Sequence, residues 1–195
     1  MAIFKIIYWV ALVLEIIIRA PFQKIARTAA TTEQRLTPAE KILPGLLTLG
    51  VIFFPLLYSV THWLDFANYE LAPWLGWLGV LLMACAVFVF ARAHMDLKSN
   101  WSPTLEIRKD HTLITNGIYR YIRHPMYASQ WLWVLAQILL LQNWIAGPVD
   151  LLCFIPFYFL RVPAEEKMMI ETFGDQYREY MHKVGGVIPK VGDSI

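Results

Sequence analysis

All but one of the chain's 17 Lys and Arg residues fall in three of the segments that separate its apolar stretches. The first segment carries Arg19, Lys24, Arg27, Arg35 and Lys41. The second carries Arg92, Lys98, Arg108, Lys109, Arg120 and Arg123. The third carries Arg161, Lys167, Arg178, Lys183 and Lys190. The two remaining connections, residues 65–72 and 142–143, carry none. Basic residues collect on the cytoplasmic side of membrane proteins, so this alternation makes the apolar stretches bilayer crossings. They are residues 3–19, 43–64, 73–91, 127–141 and 144–160, against the roughly 20 residues that a hydrocarbon core requires. The expectation is an all-α, polytopic membrane protein. It forms a single domain over residues 1–195 with five transmembrane helices, its N terminus outside and its C terminus in the cytoplasm.

Composition agrees. The chain is 57% hydrophobic and 16% charged, whereas a soluble domain carries about 25% charged residues. A net charge of +2 without a basic run gives no footing for nucleic acid. The first stretch has no small-residue cleavage site after it and reads as a retained helix. Its Lys5 can snorkel to the interface, and its Glu15 can meet water or a partner in the bundle. Pro55 predicts a kink in the second stretch. Pro73 and Pro125 open the third and fourth at first-turn positions. Cys85 and Cys153 lie in apolar segments without metal-ligand spacing and read as packing thiols. Residues 163–184 read as a surface helix broken near Gly174.

The last two apolar stretches form a hairpin bracketed by two polar blocks. These are Arg123-His124-Pro125-Met126-Tyr127 and Arg161-Val162-Pro163-Ala164-Glu165-Glu166, and both meet at one membrane face. The helix start at Pro125 offers unpaired N–H groups and partial positive charge, a seat for a carboxylate or for the sugar hydroxyls of a nucleoside. Arg161 is suited to grip a carboxylate with its planar fork. Glu165 and Glu166 follow at four and five residues, and with Pro163 disturbing the helical count either could face it. A third block, Asp110-His111-Thr112-Leu113-Ile114-Thr115-Asn116-Gly117-Ile118-Tyr119, places an apolar pair beside a turn, where an adenine could rest on Leu113 and Ile114. Plainer readings stand beside these: basic interfacial anchors, an acid-decorated helix start, an ordinary turn. His62, His94 and His182 read as interfacial. Asp150 reads as an intramembrane acid that either serves function or caps a helix near water. No GxGxxG motif is present.

Taken in order, several short motifs resemble the isoprenylcysteine carboxyl methyltransferase family of integral membrane enzymes. They are Asn100-Trp101-Ser102, Leu113-Ile114-Thr115-Asn116-Gly117-Ile118-Tyr119, the Arg123 and Arg161 blocks, and Phe173-Gly174-Asp175-Gln176-Tyr177. The match covers roughly the C-terminal half and is closest to compact prokaryotic members with five spans. The resemblance implies S-adenosylmethionine as cofactor, in a cytoplasmic site formed by the connection after the third span and the C-terminal segment. It implies His111, Leu113, Ile114, Gly117, Tyr119, His124, Pro125, Tyr127 and Glu166 as cofactor-binding residues, and Arg161 and Glu166 as catalytic. It implies a lipophilic or prenylated carboxylate as acceptor, membrane lipid as surroundings, and a prokaryotic plasma membrane as location. A phospholipid amine or a small thiol is the alternative acceptor, and a non-enzymatic carrier or scaffold the alternative class.

The charge pattern makes a topological prediction. Single cysteines at Asn116 and Lys190 should be labelled from the cytoplasmic side and one at Asn68 from outside. Labelling of Asn116 and Asn68 from the same side would contradict the five-crossing arrangement.

Overall fold

The computed structural model describes residues 2–28, 31–34, 38–104, 106–108 and 112–190. Helices occupy all five apolar stretches. The first is α1 (Ala2–Thr28). The second is a compound helix of α2 (Pro38–Thr48), a π-helical turn (Leu49–Phe53) and α3 (Phe54–Val60). Then follow α4 (Pro73–Leu97), α5 (Pro125–Leu141) and α6 (Val149–Phe173), with the short α7 (Asp175–Lys183) at the end. Strands β1 (Thr31–Gln34) and β2 (Glu106–Arg108) pair antiparallel in a small sheet that ties the first polar connection to the second. Among the described residues, two helical stretches, Ile42–Val60 and Pro73–Asn100, are long and apolar enough to cross a membrane by length and composition.

The core forms where α1, α4 and α5 pack together. Tyr8, Tyr58, Met83, Trp133, Leu140 and Leu141 are almost fully enclosed there. The bare backbone of Gly76 lets α4 approach α1, because a Cβ at that position would overlap the Phe4 ring. Outward-facing side chains remain strongly apolar, with Ile6, Ile17, Leu81, Phe88, Leu152 and Phe159 all more than half exposed. Such a surface suits lipid.

The expected disturbance at Pro55 takes the form of the π-helical turn just before it, where the N–H of Phe54 reaches back to the Leu49 carbonyl. Pro55 has no N–H, so it serves neither Val51 O nor Gly50 O, its α-helical and π-helical partners. Other helices supply the donors. The Tyr8 hydroxyl donates to Val51 O at 2.6 Å, and Gln137 Nε2 donates to Gly50 O at 3.1 Å and Ala146 O at 2.8 Å. The same hydroxyl oxygen lies 3.0 Å from Gln137 Oε1, so its one proton is shared between the two acceptors. In a lipid-surrounded bundle every such carbonyl needs an internal donor.

Three expectations are corrected. The connection between α5 and α6 is longer than residues 142–143: Gln142 turns left-handed at φ 47°, and α6 begins only at Val149. The side chain of Asn143 accounts for this, since its Oδ1 accepts the N–H groups of Ile145 and Ala146 and holds them in turns. Pro163 does not start a new helix; α6 runs unbroken through Pro156 and Pro163 to Phe173. The break does fall at Gly174, which adopts φ 58°. Asp150 is neither water-facing nor merely a cap. It is fully buried, and its Oδ2 accepts from Gln130 at 3.1 Å.

Gln137→Leu should leave two buried carbonyls without donors. Unfolding in detergent should show a loss of about 1–3 kcal/mol per orphaned group. An unchanged unfolding midpoint would remove Gln137 from the account of how the helix tolerates Pro55.

Candidate active site

The polar connection is anchored by its own backbone. Residues 122–124 run alongside the turn at Gly185 and Gly186. Ile122 pairs with Gly185, the Arg123 N–H donates to Gly185 O at 2.8 Å, and the His124 N–H donates to Gly186 O at 3.0 Å. Upstream, Gly117 adopts φ 60°, and a Cβ there would collide with the Asp96 carboxylate. That carboxylate accepts the Ile118 N–H at 2.8 Å and is held by Arg92 one helical turn away at 3.1 Å. The Tyr180 hydroxyl donates to Tyr119 O. The segment that carries the predicted cofactor residues is thus pinned between α4 and the C-terminal segment.

Arg123 is the hub. Its Nη1 donates to Met181 O at 3.2 Å and to Val184 O, at the negative end of α7. Its Nε and Nη2 donate to Glu166 Oε1 at 3.2 and 2.8 Å. His124 Nε2 meets the same oxygen at 2.9 Å. A carboxylate only accepts, so Nε2 carries the proton. The hydrogen bond from His124, joined by those from Arg123, outweighs partial burial and holds the Glu166 carboxyl down to about 2.

Arg161 stands on a different face of α6. It is buried, its Nη2 donates to Pro103 O at 2.9 Å, and its guanidinium lies 5.4 Å from the Phe157 ring centre. The choice that the sequence leaves open between Glu165 and Glu166 falls to Glu165. On an unbroken helix the residue four positions on shares a face, and the fifth is turned a further 100° or so. Glu165 accordingly stands on the Arg161 side, where its Oε2 accepts from the Tyr127 hydroxyl at 2.7 Å. Glu166 turns away to Arg123 and His124.

A cavity of about 480 Å³ opens beside these groups, inside the usual range of about 300–1,000 Å³ for small-molecule sites. Leu113, Ile114, Tyr119, His124, Pro125, Tyr127 and Arg161 all line it. Gly117 and Glu166 do not; they hold the wall from behind. His111 lies outside the described residues. The same cavity is walled by the apolar Leu12 and Ile16 of α1, Leu47 and Ile52 of the compound helix, and Phe154 and Phe157 of α6, with Glu15 of α1 also in the lining.

Sequence reasoning missed two members of this wall. His94 was expected at an interface. Instead it is fully buried, lies against Phe22, Phe90 and Trp101, and faces the cavity. The spacing Met83, Ala86, Phe90, His94 marks an inner face of α4 and would have indicated this. Arg19, at a span end, also lines the cavity. The role of Arg123 had no local signal, because its partners lie more than forty residues away.

A family model described as the isoprenylcysteine carboxyl methyltransferase family matches residues 77–171. The protein-S-isoprenylcysteine O-methyltransferase of Schizosaccharomyces pombe is 39% identical over 83 residues, 43% of this chain and 35% of that protein. The Dictyostelium discoideum enzyme of the same name is 30% identical over 145 residues, 71% of this chain and 54% of that one. Protein-S-isoprenylcysteine O-methyltransferase B of Arabidopsis thaliana is 30% identical over 143 residues, covering 72% and 66% respectively. A solved structure of the eukaryotic intramembrane Ras methyltransferase superposes with a TM-score of 0.54 and 26% identity, over 80% of this chain and 53% of that one. The chain thus spans about half the length of most of these relatives.

The low value at Glu166 has a stability consequence. Its folded-state pKa lies below the ordinary 4.5, so the ionised carboxylate stabilises the fold above that value, and the contribution fades as pH falls toward about 2. Wild type should therefore melt above Glu166→Gln at neutral pH, with the gap closing between about 4.5 and 2. A gap that stays constant down to the low end of that window would contradict the hub.

Proposed function

This chain belongs to the isoprenylcysteine carboxyl methyltransferase family, and from that premise we propose that it is an S-adenosylmethionine-dependent methyltransferase acting on a lipophilic carboxylate. The acceptor class is that of an S-prenylated cysteine. The observation that carries the proposal is that one cavity is lined both by Leu113, Ile114, Tyr119, His124, Tyr127 and Arg161 and by apolar side chains of α1, the compound helix and α6. The first set suits a nucleoside and the second a hydrocarbon chain, and a guanidinium borders the same space.

The residues present fit the cofactor. Leu113, Ile114 and Tyr119 offer an apolar face for adenine. His124, Pro125 and Tyr127 lie at the opening turn of α5, where the N–H groups of Met126 and Tyr127 have no intrahelical acceptor. Glu165 supplies negative charge on the Arg161 side, beside which a sulfonium is welcome. When bound, the cofactor would supply an electrophilic methyl group. An ionised carboxylate needs no base to accept it, so the protein's task is placement. Arg161 is held against Pro103 O and Phe157 and orients the acceptor carboxylate. Glu166 acts through others, fixing Arg123 and the ring of His124. An amine or thiol acceptor would need a base. Of the three candidates for that role, Glu166 and His124 are bound to each other and Glu165 accepts from Tyr127, which favours the carboxylate.

The site sits at the ends of α4, α5 and α6 that border the basic connections. We accordingly place it on the cytoplasmic side of a five-crossing chain, with the N terminus outside. The prokaryotic plasma membrane rests on the sequence resemblance alone, the relatives compared being eukaryotic.

Purified protein in detergent should bind S-adenosylmethionine, and His124→Ala should weaken this by about 1–3 kcal/mol. Wild-type affinity in that variant would remove His124 from the site. Methyl transfer to an S-prenylated cysteine analogue should exceed that to the unprenylated compound. Arg161→Lys should lower it despite keeping the charge, since an ammonium cannot reproduce a planar fork. Equal rates on both acceptors with an active Arg161→Lys enzyme would reject the carboxylate clamp.

A further inference from the structure

One face of α1 lines the cavity through Leu12, Glu15, Ile16 and Arg19, the i, i+3, i+4, i+7 spacing of a single helical stripe. Glu15 apart, the lining along that stripe passes from apolar to cationic over about 10 Å, at 1.5 Å per residue. This is the order of groups in a lipophilic carboxylate: tail first, anion last. The charged end is backed by an aromatic shelf. The Arg19 guanidinium lies 5.0 Å from the Trp101 ring centre, and Trp101 is itself buried and fixed by a contact from its Nε1 to Met126 Sδ at 3.2 Å.

Two buried polar atoms on this wall have no hydrogen-bond partner among the described residues, Arg19 Nε and His94 Nε2. His94 is fully enclosed, and its ring centre lies 4.9 Å from that of Trp101. Its Nδ1 meets Phe90 O at 2.9 Å. A carbonyl accepts, so Nδ1 holds the proton and Nε2 presents a lone pair. The wall therefore offers one unused cationic donor and one unused neutral acceptor. Buried polar groups without partners are rare and costly, and here both belong to residues that border a cavity sized for a ligand. Arg161 borders the same cavity, whose lining also includes Glu106 and Glu165. Two guanidiniums that border one partly apolar cavity offer planar donors to an anionic head group bound there. Glu15 sits one turn toward the apolar end, so the anion's place is on the far side of Arg19, toward Arg161.

We propose that Arg19 is a second acceptor-binding residue, which grips the methyl acceptor's carboxylate opposite Arg161 and makes the site selective for an anionic head group. This rests on the carboxyl methyltransferase reading above. It adds to that reading a residue from the first helix, outside the family match at residues 77–171.

The test compares two ligands on the full-length protein in detergent: an S-prenylcysteine carboxylate and the matching primary carboxamide. Affinities are measured for wild type, Arg19→Gln and Arg19→Lys, with S-adenosylmethionine affinity measured in parallel. Wild type should prefer the carboxylate. Arg19→Gln should reduce that preference by about tenfold or more, the loss of one charged hydrogen bond, and Arg19→Lys should retain part of it. Cofactor affinity should stay near wild type in both, which also reports that the variants are folded. A merely structural role for Arg19 would weaken both ligands alike and leave their ratio unchanged, and that result overturns the proposal. So does a fall in cofactor affinity with the ratio intact, which would assign Arg19 to the cofactor. If wild type binds neither prenylated ligand, the underlying reading fails and this one with it. If wild type discriminates and Arg19→Gln discriminates equally, only the Arg19 assignment fails.

Discussion

A single carboxylate oxygen organises the end of this structure that carries the cavity. Glu166 Oε1 receives donors from Arg123 and His124, and Arg123 carries the connection on to the last carbonyls of α7. Through that oxygen α6, the start of α5 and the C-terminal segment become one unit. The charges offset each other inside the cluster, so it can sit beside an apolar bundle without the cost of an isolated ion. The cavity walls then stand on a fixed frame. His124 and Tyr127 reach it from one side of the hub, and Arg161 and Glu165 from the next face of the same helix.

The membrane imposes the second constraint. A bundle in lipid cannot send unsatisfied carbonyls to water, yet α3 and α6 contain prolines that remove donors. Around Pro55 the answer is visible in Tyr8 and Gln137, two polar side chains enclosed in the core. Polar groups within the spans thus repair the backbone, while those at the basic end build the site.

Much of this was legible in the sequence because it follows from local rules. Helices sit over the five apolar stretches. Pro73 and Pro125 open α4 and α5, and Gly174 ends α6. The block at Arg123-His124-Pro125 does border the cavity, as does Arg161. What was hidden depends on tertiary detail. Whether Glu165 or Glu166 shares a face with Arg161 turns on Pro163. A proline can be carried inside a helix, at a cost of about 3 kcal/mol, when packing holds both flanks. The role of Arg123 needs the turn at Gly185 and Gly186, far away in sequence. His94 looked like an interfacial histidine at a span end; the inner-face spacing through Phe90 pointed inward, but Phe22, which completes its pocket, comes from another helix.

The central claim is that one cavity brings a methyl donor to a carboxylate whose apolar tail lies between α1, the compound helix and α6. The most direct measurement is the chemical nature of the product. Purified protein would be given methyl-labelled S-adenosylmethionine and an S-prenylated cysteine, and the product treated with mild alkali. A methyl ester is cleaved, releasing the label as methanol, and that is the predicted result. Label that stays on the acceptor through alkali, as a methylamine or methyl thioether does, would contradict the account.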